Sequence, residues 1–254
     1  VISSLFGYIV GPKINYIGKK FKILDIPNSR KLHKSPIVRI GGLTIALTFF
    51  LFSLICYKFF NSSNFFYESN EIFIVLIGGL SYFLLGLHDD IYRSSPIFRL
   101  LIQTLIAIGI TATGINLSNI NFSENLIIFL PNVLTYFFTC LWIVGITNAI
   151  NWLDGFDGLA GGFCSIISLG LFIHMISIGR YDGAIFFSIL AGSIIGFLSR
   201  NFKPAFYIMG DCGSYFLGFC LSVGTLFFSK GTSNSSVPLI YLVILFSLPI
   251  FDMC

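Results

Sequence analysis

Charge is scarce in this sequence. Only 10% of its 254 residues are Asp, Glu, Lys or Arg, where a soluble domain carries about 25%. An ordinary water-exposed globule is therefore excluded. Cysteine patterning is missing too. The six cysteines form no C-x-x-C pair and no even framework, so neither a zinc site nor a structural disulfide is expected. Cys56, Cys140, Cys164 and Cys220 fall in apolar runs, where a thiol behaves as a small hydrophobe. The net charge of +4 is modest, and no nucleic-acid partner is expected. A starting Met is absent as well. Only about ten apolar residues precede Gly11-Pro12-Lys13, and a membrane span needs roughly 20. No small-residue cleavage site suggests a signal peptide. The chain reads as one integral-membrane domain, 1–254, cut at both ends.

What is present is apolar surface, 56% of the residues, in runs that recur along the whole length. The expectation is an all-α, polytopic transmembrane bundle of about nine helices. The first is the tail Val1–Ile9, followed by a basic segment from Lys13 to Arg39. The next are Gly41–Phe60, Ile72–Leu87, Ile97–Gly114 and Leu126–Ile146. Then come Leu159–Ile178, Ala184–Leu198, Ser214–Phe228 and a ninth ending at Pro249–Asp252. Alternating sides sort the charges. Twelve of the fifteen Lys and Arg fall after helices one, three, five and seven, which makes that side cytoplasmic. Seven aspartates share it: Asp25, Asp89, Asp90, Asp154, Asp157, Asp211 and Asp252. Glu68, Glu71, Glu124 and Asp182 fall opposite. Topology alone accounts for the basic residues but not for the aspartates.

The stretch Asn148–Gly158 holds two Asn and two Asp between apolar runs. A plain turn needs one capping residue, and this one offers four. Asp154 and Asp157 are three apart and on a helical turn would share a face. Asn148 and Asn151 have the same spacing, and their amide oxygens suit Mg²⁺ or a helix-to-helix hydrogen bond equally. Asp89-Asp90 closes a helix, where paired negative charges oppose the macrodipole and invite a cation. Asp211 precedes helix eight among glycines. It reads either as a cap or as a metal ligand beside a phosphate held on backbone N–H groups, with Ser214 next to it. Together these suggest Mg²⁺-assisted phosphoryl transfer at a membrane surface, between a lipid and a nucleotide-activated group.

Four motifs resemble the polyprenyl-phosphate N-acetylhexosamine-1-phosphate transferases, and especially the bacterial undecaprenyl-phosphate N-acetylglucosamine-1-phosphate transferases. They are Asp25–His33 with Pro36 and Arg39–Gly42; Gly86–Asp90 with Pro96; Asn148–Gly158; and Met209–Ser214 with Leu217-Gly218. The resemblance implies ten or eleven helices in the family. It also implies transfer of a sugar-1-phosphate from a UDP-N-acetylhexosamine to a polyprenyl phosphate, with release of UMP, as the first step of cell-envelope polysaccharide synthesis. The implied place is the cytoplasmic face of the cell membrane, and the implied cofactor is Mg²⁺, with Mn²⁺ an alternative. A homodimer is compatible with it. By the same resemblance, Asp211 is the metal ligand, assisted by Asn151. Asp89 and Asp90 position or deprotonate the lipid phosphate, and Asp154 and Asp157 hold the nucleotide-sugar or the site network. Lys31 and Arg39 contact phosphate, Asn148, Asn151 and Ser214 contact substrate, and His33 matches a motif position. The family's later His- and Arg-rich loop follows the point where this chain stops, so this stretch alone is expected to be inactive. Phospho-MurNAc-pentapeptide transferases share the aspartate motifs and are the alternative within the family. A cation-coupled transporter is the alternative outside it. A non-catalytic scaffold, packed through Gly192 and Gly196, would leave the aspartates dispensable.

Overall fold

The computed structural model describes residues 1–26, 35–60, 69–117, 119–123, 126–202, 204–229 and 244–253. Nine helices lie among them: α1 (Ile2–Lys20), α2 (Gly42–Phe60), α3 (Ser69–Tyr92), α4 (Pro96–Ala112), α5 (Asn132–Leu153), α6 (Leu159–Ser177), α7 (Tyr181–Asn201), α8 (Gly210–Ser229) and α9 (Ser247–Met253). Six of these, α2, α3, α5, α6, α7 and α8, are long and apolar enough to cross a membrane. The protein is a polytopic helical membrane protein. α4 is shorter at 17 residues, and α1 carries Lys13, Lys19 and Lys20.

α8 lies at the centre, packed against α3, α5 and α2, and its whole apolar stretch is enclosed. Lipid tails are as apolar as leucine, so burial alone does not bring such helices together; close backbone approach does. Gly86 of α3 shows the principle, because a Cβ there would strike the Asp211 carbonyl of α8. The Gly192/Gly196 pair of α7 lies against Ser3, Ser4 and Gly7 of α1, as the small-residue spacing suggests. Phenylalanines fill the remaining core: the Phe49 ring meets Phe186 at 5.1 Å and Phe216 at 5.4 Å.

Several boundaries differ from the sequence reading. α1 runs through Gly11-Pro12 to Lys20 rather than ending near Ile9. Its buried face, Gly7, Gly11, Ile14, Asn15 and Gly18, continues past Pro12, and packing outweighs the proline. The chain before α5 is not helical from Leu126. Instead β3 (Asn119–Ser123) and β4 (Leu126–Phe129) form an antiparallel hairpin, and α5 starts after Pro131. α8 begins at Gly210, not Ser214. A second small sheet pairs β1 (Leu24–Asp25) with β2 (Ile37–Val38). The end of β2 and the residues after it are stitched to the loop before α8: Ile208 N–H donates to Val38 O (2.9 Å), Gly41 N–H to Ile208 O (2.9 Å) and Gly42 N–H to Met209 O (2.8 Å).

Candidate active site

That stitching fixes Arg39 over the start of α8. Its Nε is 2.9 Å from Asp90 Oδ1 and its Nη2 is 3.0 Å from Asp211 Oδ2. Burial works against the Arg39 charge, but Asp211 and Asp90 outweigh it and hold its pKa above the ordinary value.

Asp89 and Asp90 do not close α3, which continues to Tyr92. They occupy its last turn. Consecutive helical side chains point about 100° apart, so the two carboxyls part ways. Asp90 reaches α8, where Oδ1 accepts the Asp211 N–H and Oδ2 the Cys212 N–H, both at 2.9 Å. It therefore caps α8 from another helix, satisfying donors that the helix itself leaves open. One of the two sequence readings placed a phosphate at this helix N-terminus; the Asp90 carboxylate takes the Asp211 and Cys212 N–H groups instead. Asp89 pairs with Arg99 of α4 at 2.7 Å. Arg99 also lies 3.6 Å from Asp211, and the Asp89 and Asp211 side chains meet. Oδ1 of Asp89 is buried without a hydrogen-bond partner. Gly210, which opens α8, has φ 75°, and a Cβ there would strike the Arg39 carbonyl; only glycine combines that backbone with so close a neighbour.

α5 extends to Leu153, so Asn148 and Asn151 both stand on it. Asn151 Nδ2 donates to Asp211 Oδ1 (2.7 Å) and Ser214 Oγ (2.8 Å). Asn148 Nδ2 turns instead to Gln103 Oε1 of α4 (2.7 Å) and Val144 O (2.8 Å). Asp154 ends α5, and its Oδ2 accepts the Gly210 N–H at 3.1 Å. Burial, then the negative charges of Asp211 and Asp90, push its pKa well above the usual carboxylate range. Asp157 does not share a helical face with Asp154. Both lie in the turn between α5 and α6, and Asp157 is exposed. Lys31 and His33 lie outside the described residues.

The site thus gathers Asp89, Asp90, Asp154, Asp211, Asn151, Ser214 and Arg39, with Asn148 on its α4 side. Arg99 was counted in the sequence only as a topological charge. The signal was there, since an arginine in the first turn of an otherwise apolar helix needs a partner. Asn201 gave no signal. It accepts the Gly158 N–H and donates to Tyr207 O, each at 2.9 Å, so it ties the α5–α6 turn to the loop before α8. Among the described residues no group of three His, Cys, Asp or Glu side chains is arranged to hold a metal. Mg²⁺, however, commonly takes one or two carboxylates and completes its shell with water and phosphate oxygens. Asp211 and the Asn151 amide offer hard-oxygen donors of that kind, and the unpartnered oxygen of Asp89 lies beside them. The net charge agrees: Asp89, Asp90 and Asp211 face two guanidinium groups, leaving one negative charge when all three are ionised.

A family model described as "Glycosyl transferase family 4" matches residues 72–229. A probable undecaprenyl-phosphate N-acetylglucosaminyl 1-phosphate transferase of Bacillus subtilis is 33% identical over 253 residues, covering 99% of this chain and 68% of the relative. An undecaprenyl-phosphate alpha-N-acetylglucosaminyl 1-phosphate transferase of Thermotoga maritima is 31% identical, covering 90% of this chain and 65% of the relative. A phospho-N-acetylmuramoyl-pentapeptide-transferase of Clostridium perfringens is 29% identical, covering 96% and 77%. The chain spans about two thirds of the length of the first two. The matched segment contains the aspartate pair, the α5 asparagines and the start of α8, and the chain belongs to glycosyl transferase family 4.

Proposed function

We propose that this chain is the greater part of an enzyme that moves N-acetylglucosamine-1-phosphate, or a related N-acetylhexosamine-1-phosphate, from a UDP-sugar to a polyprenyl phosphate. The observation behind this reading is the convergence of Asp89, Asp90, Asp211, Arg39 and Arg99 at one end of an apolar bundle. Such a cluster is suited to phosphate chemistry beside a lipid, and the names of the relatives agree with it. The basic bias of the loops supports a cytoplasmic site in the cell membrane.

In this reading an oxygen of the lipid phosphate bonds to the sugar-bearing phosphorus as that phosphorus parts from the UMP oxygen. Asp211 and Asn151, with Asp89 adjacent, would hold Mg²⁺. The ion would neutralise charge on the diphosphate. Asp89, through its unpartnered oxygen, takes any proton left on the attacking phosphate. Asp90 is committed to two N–H groups and Arg39, so its part is to keep α8 in place. Arg39 and Arg99 line the same pocket of charge and offer their outer N–H groups to phosphate. Asp154 supports the start of α8, and Asp157 and Lys31 remain candidates for the nucleotide-sugar.

The test uses membranes containing the full-length protein, polyprenyl phosphate, Mg²⁺ and UDP-N-acetylglucosamine. UMP release should stop with chelator. Asp211→Asn should lower it beyond the 10–100-fold typical of outer-shell partners. Undiminished release from folded Asp211→Asn protein would overturn the reading. The similarity to a pentapeptide transferase favours one second reading, in which UDP-MurNAc-pentapeptide is the donor; exchanging the UDP-sugar in the same assay separates the two. A cation-coupled transporter has less support, since its carboxylates belong near the membrane midplane and these share one end of the bundle.

A further inference from the structure

A second cationic feature lies away from the carboxylates, between α1, α7 and the loop after α7. Arg39, Arg99 and Arg180 each pair with a carboxylate. Among the described residues Arg200, in the last turn of α7, does not. Among the described residues no ion pair joins Arg200 or Lys19 to an acid. The Arg200 guanidinium instead stacks between two rings, 4.6 Å from the centroid of Tyr8 on α1 and 5.6 Å from that of Phe206. Lys19 Nζ approaches the same Phe206 ring at 5.8 Å. The Phe206 N–H donates to the Arg200 carbonyl at 2.8 Å, which folds the loop back over the guanidinium. Nε of Arg200 is buried and has no hydrogen-bond partner. An arginine pinned against two rings in this notch, and away from any acid among the described residues, leaves the outer edge of its guanidinium to meet an anion.

The position of the notch says which anion. Arg200 is one residue from the end of a membrane-length stretch, Tyr181–Asn201. α7 is aligned there with α1 through Gly196 against Gly7, so the guanidinium stands where apolar surface gives way to the basic end of α1. Tyr8 and Phe206 are 48% and 45% exposed, and Leu5, one turn below Tyr8 on α1, faces outward. Exposed rings at an interface and an apolar side chain beneath them suit a headgroup with acyl chains attached, not a free ion.

We propose that this notch binds the headgroup phosphate of an anionic glycerophospholipid, with Arg200 and Lys19 as its charged contacts. The probe is phosphatidylglycerol against phosphatidylcholine, titrated onto the detergent-purified full-length protein and read by native mass spectrometry. Phosphatidylglycerol should be retained about tenfold more tightly. Arg200→Gln and Lys19→Gln should each bring it toward the phosphatidylcholine value. Lys19 is exposed at the end of α1, so its variant keeps the test decisive should Arg200→Gln fail to fold. Equal retention of the two lipids, or selectivity unchanged in Lys19→Gln, overturns the proposal. So does full competition by millimolar inorganic phosphate, which would make the notch a site for soluble anions. Failure of competition by inorganic phosphate supports it. None of these readouts depends on transferase activity.

Discussion

Replacing Arg39 by Gln tests the idea that one guanidinium holds the two central carboxylates together. Removing one partner of a buried ion pair costs about 3–5 kcal/mol. Two features reduce that here. The Arg39 side chain is 23% exposed, so part of its charge is already solvated. Asp90 keeps the Asp211 and Cys212 N–H groups, and Asp211 keeps Asn151. We therefore expect a loss of about 2 kcal/mol, which for a chain of this size lowers Tm by about 4–8 °C. A thiol-reactive dye reports unfolding in detergent, because Cys164, Cys212 and Cys220 are buried and free. Adding Asp90→Asn supplies the sharper check. If the pair is energetically real, the double variant is more stable than the sum of the singles implies, by about 1–2 kcal/mol. Additive losses, or an Arg39→Gln Tm within about 1 °C of the parent, would refute the reasoning and leave Arg39 as a bystander fixed only by its backbone.

Three further outcomes follow from the same contacts. Gly86→Ala forces a methyl onto the Asp211 carbonyl and should cost about 1–3 kcal/mol, measured as Tm, while Gly109→Ala, which meets nothing within 4 Å, should be neutral. Asn201→Ala strands the Gly158 N–H and the Tyr207 carbonyl and should lower Tm by the equivalent of about 1–3 kcal/mol. Asp154 has a raised pKa in the folded protein, so its favourable contribution is complete below about pH 4, the ordinary aspartate value, and fades as pH rises through the folded value. Asp154→Asn should therefore flatten the decline of metal-free Tm with rising pH, and an identical slope would count against a raised Asp154 pKa.

Much of this site was legible because charge in an apolar chain is so rare that each aspartate stands out. The one-sided sorting of Asp89, Asp90, Asp154 and Asp211 needed only helix counting, and the spans from Gly41 to Phe60 and from Leu159 to Ile178 fall within a residue of α2 and α6. Pairing was not legible. Which of two adjacent aspartates caps α8 depends on the rotation of α3, and that is set by Gly86 against α8, a contact between residues 125 apart in sequence. Gly11-Pro12 and Leu126–Phe129 misled for opposite reasons. In the first, tertiary packing carried a helix through a local breaker. In the second, a hairpin satisfied the backbone where apolar composition alone suggested helix. Asp157 shows the limit of spacing arguments: an (i, i+3) pair shares a face only if the residues between them are helical, and Gly155 and Gly158 end that regularity.

The enclosure of α8 also bears on how the protein is made. It is the least apolar of the six membrane-length helices and the most completely surrounded by protein, and it is the last of the six to leave the ribosome. Its neighbours α2, α3 and α5 are synthesised first, and the faces that carry Gly42, Gly78 and Gly86 meet their α8 partners only when it arrives. A nascent chain that has reached residue 209 lacks the helix that α2, α3 and α5 share as a neighbour, and α8 completes that packing by joining protein rather than lipid. Ribosome-stalled chains ending before Gly210 should accordingly be far more open to protease than those ending after Ser229. The helix bearing Asp211 then doubles as the keystone of assembly, so quality control that recognises the incomplete packing also removes chains lacking the site.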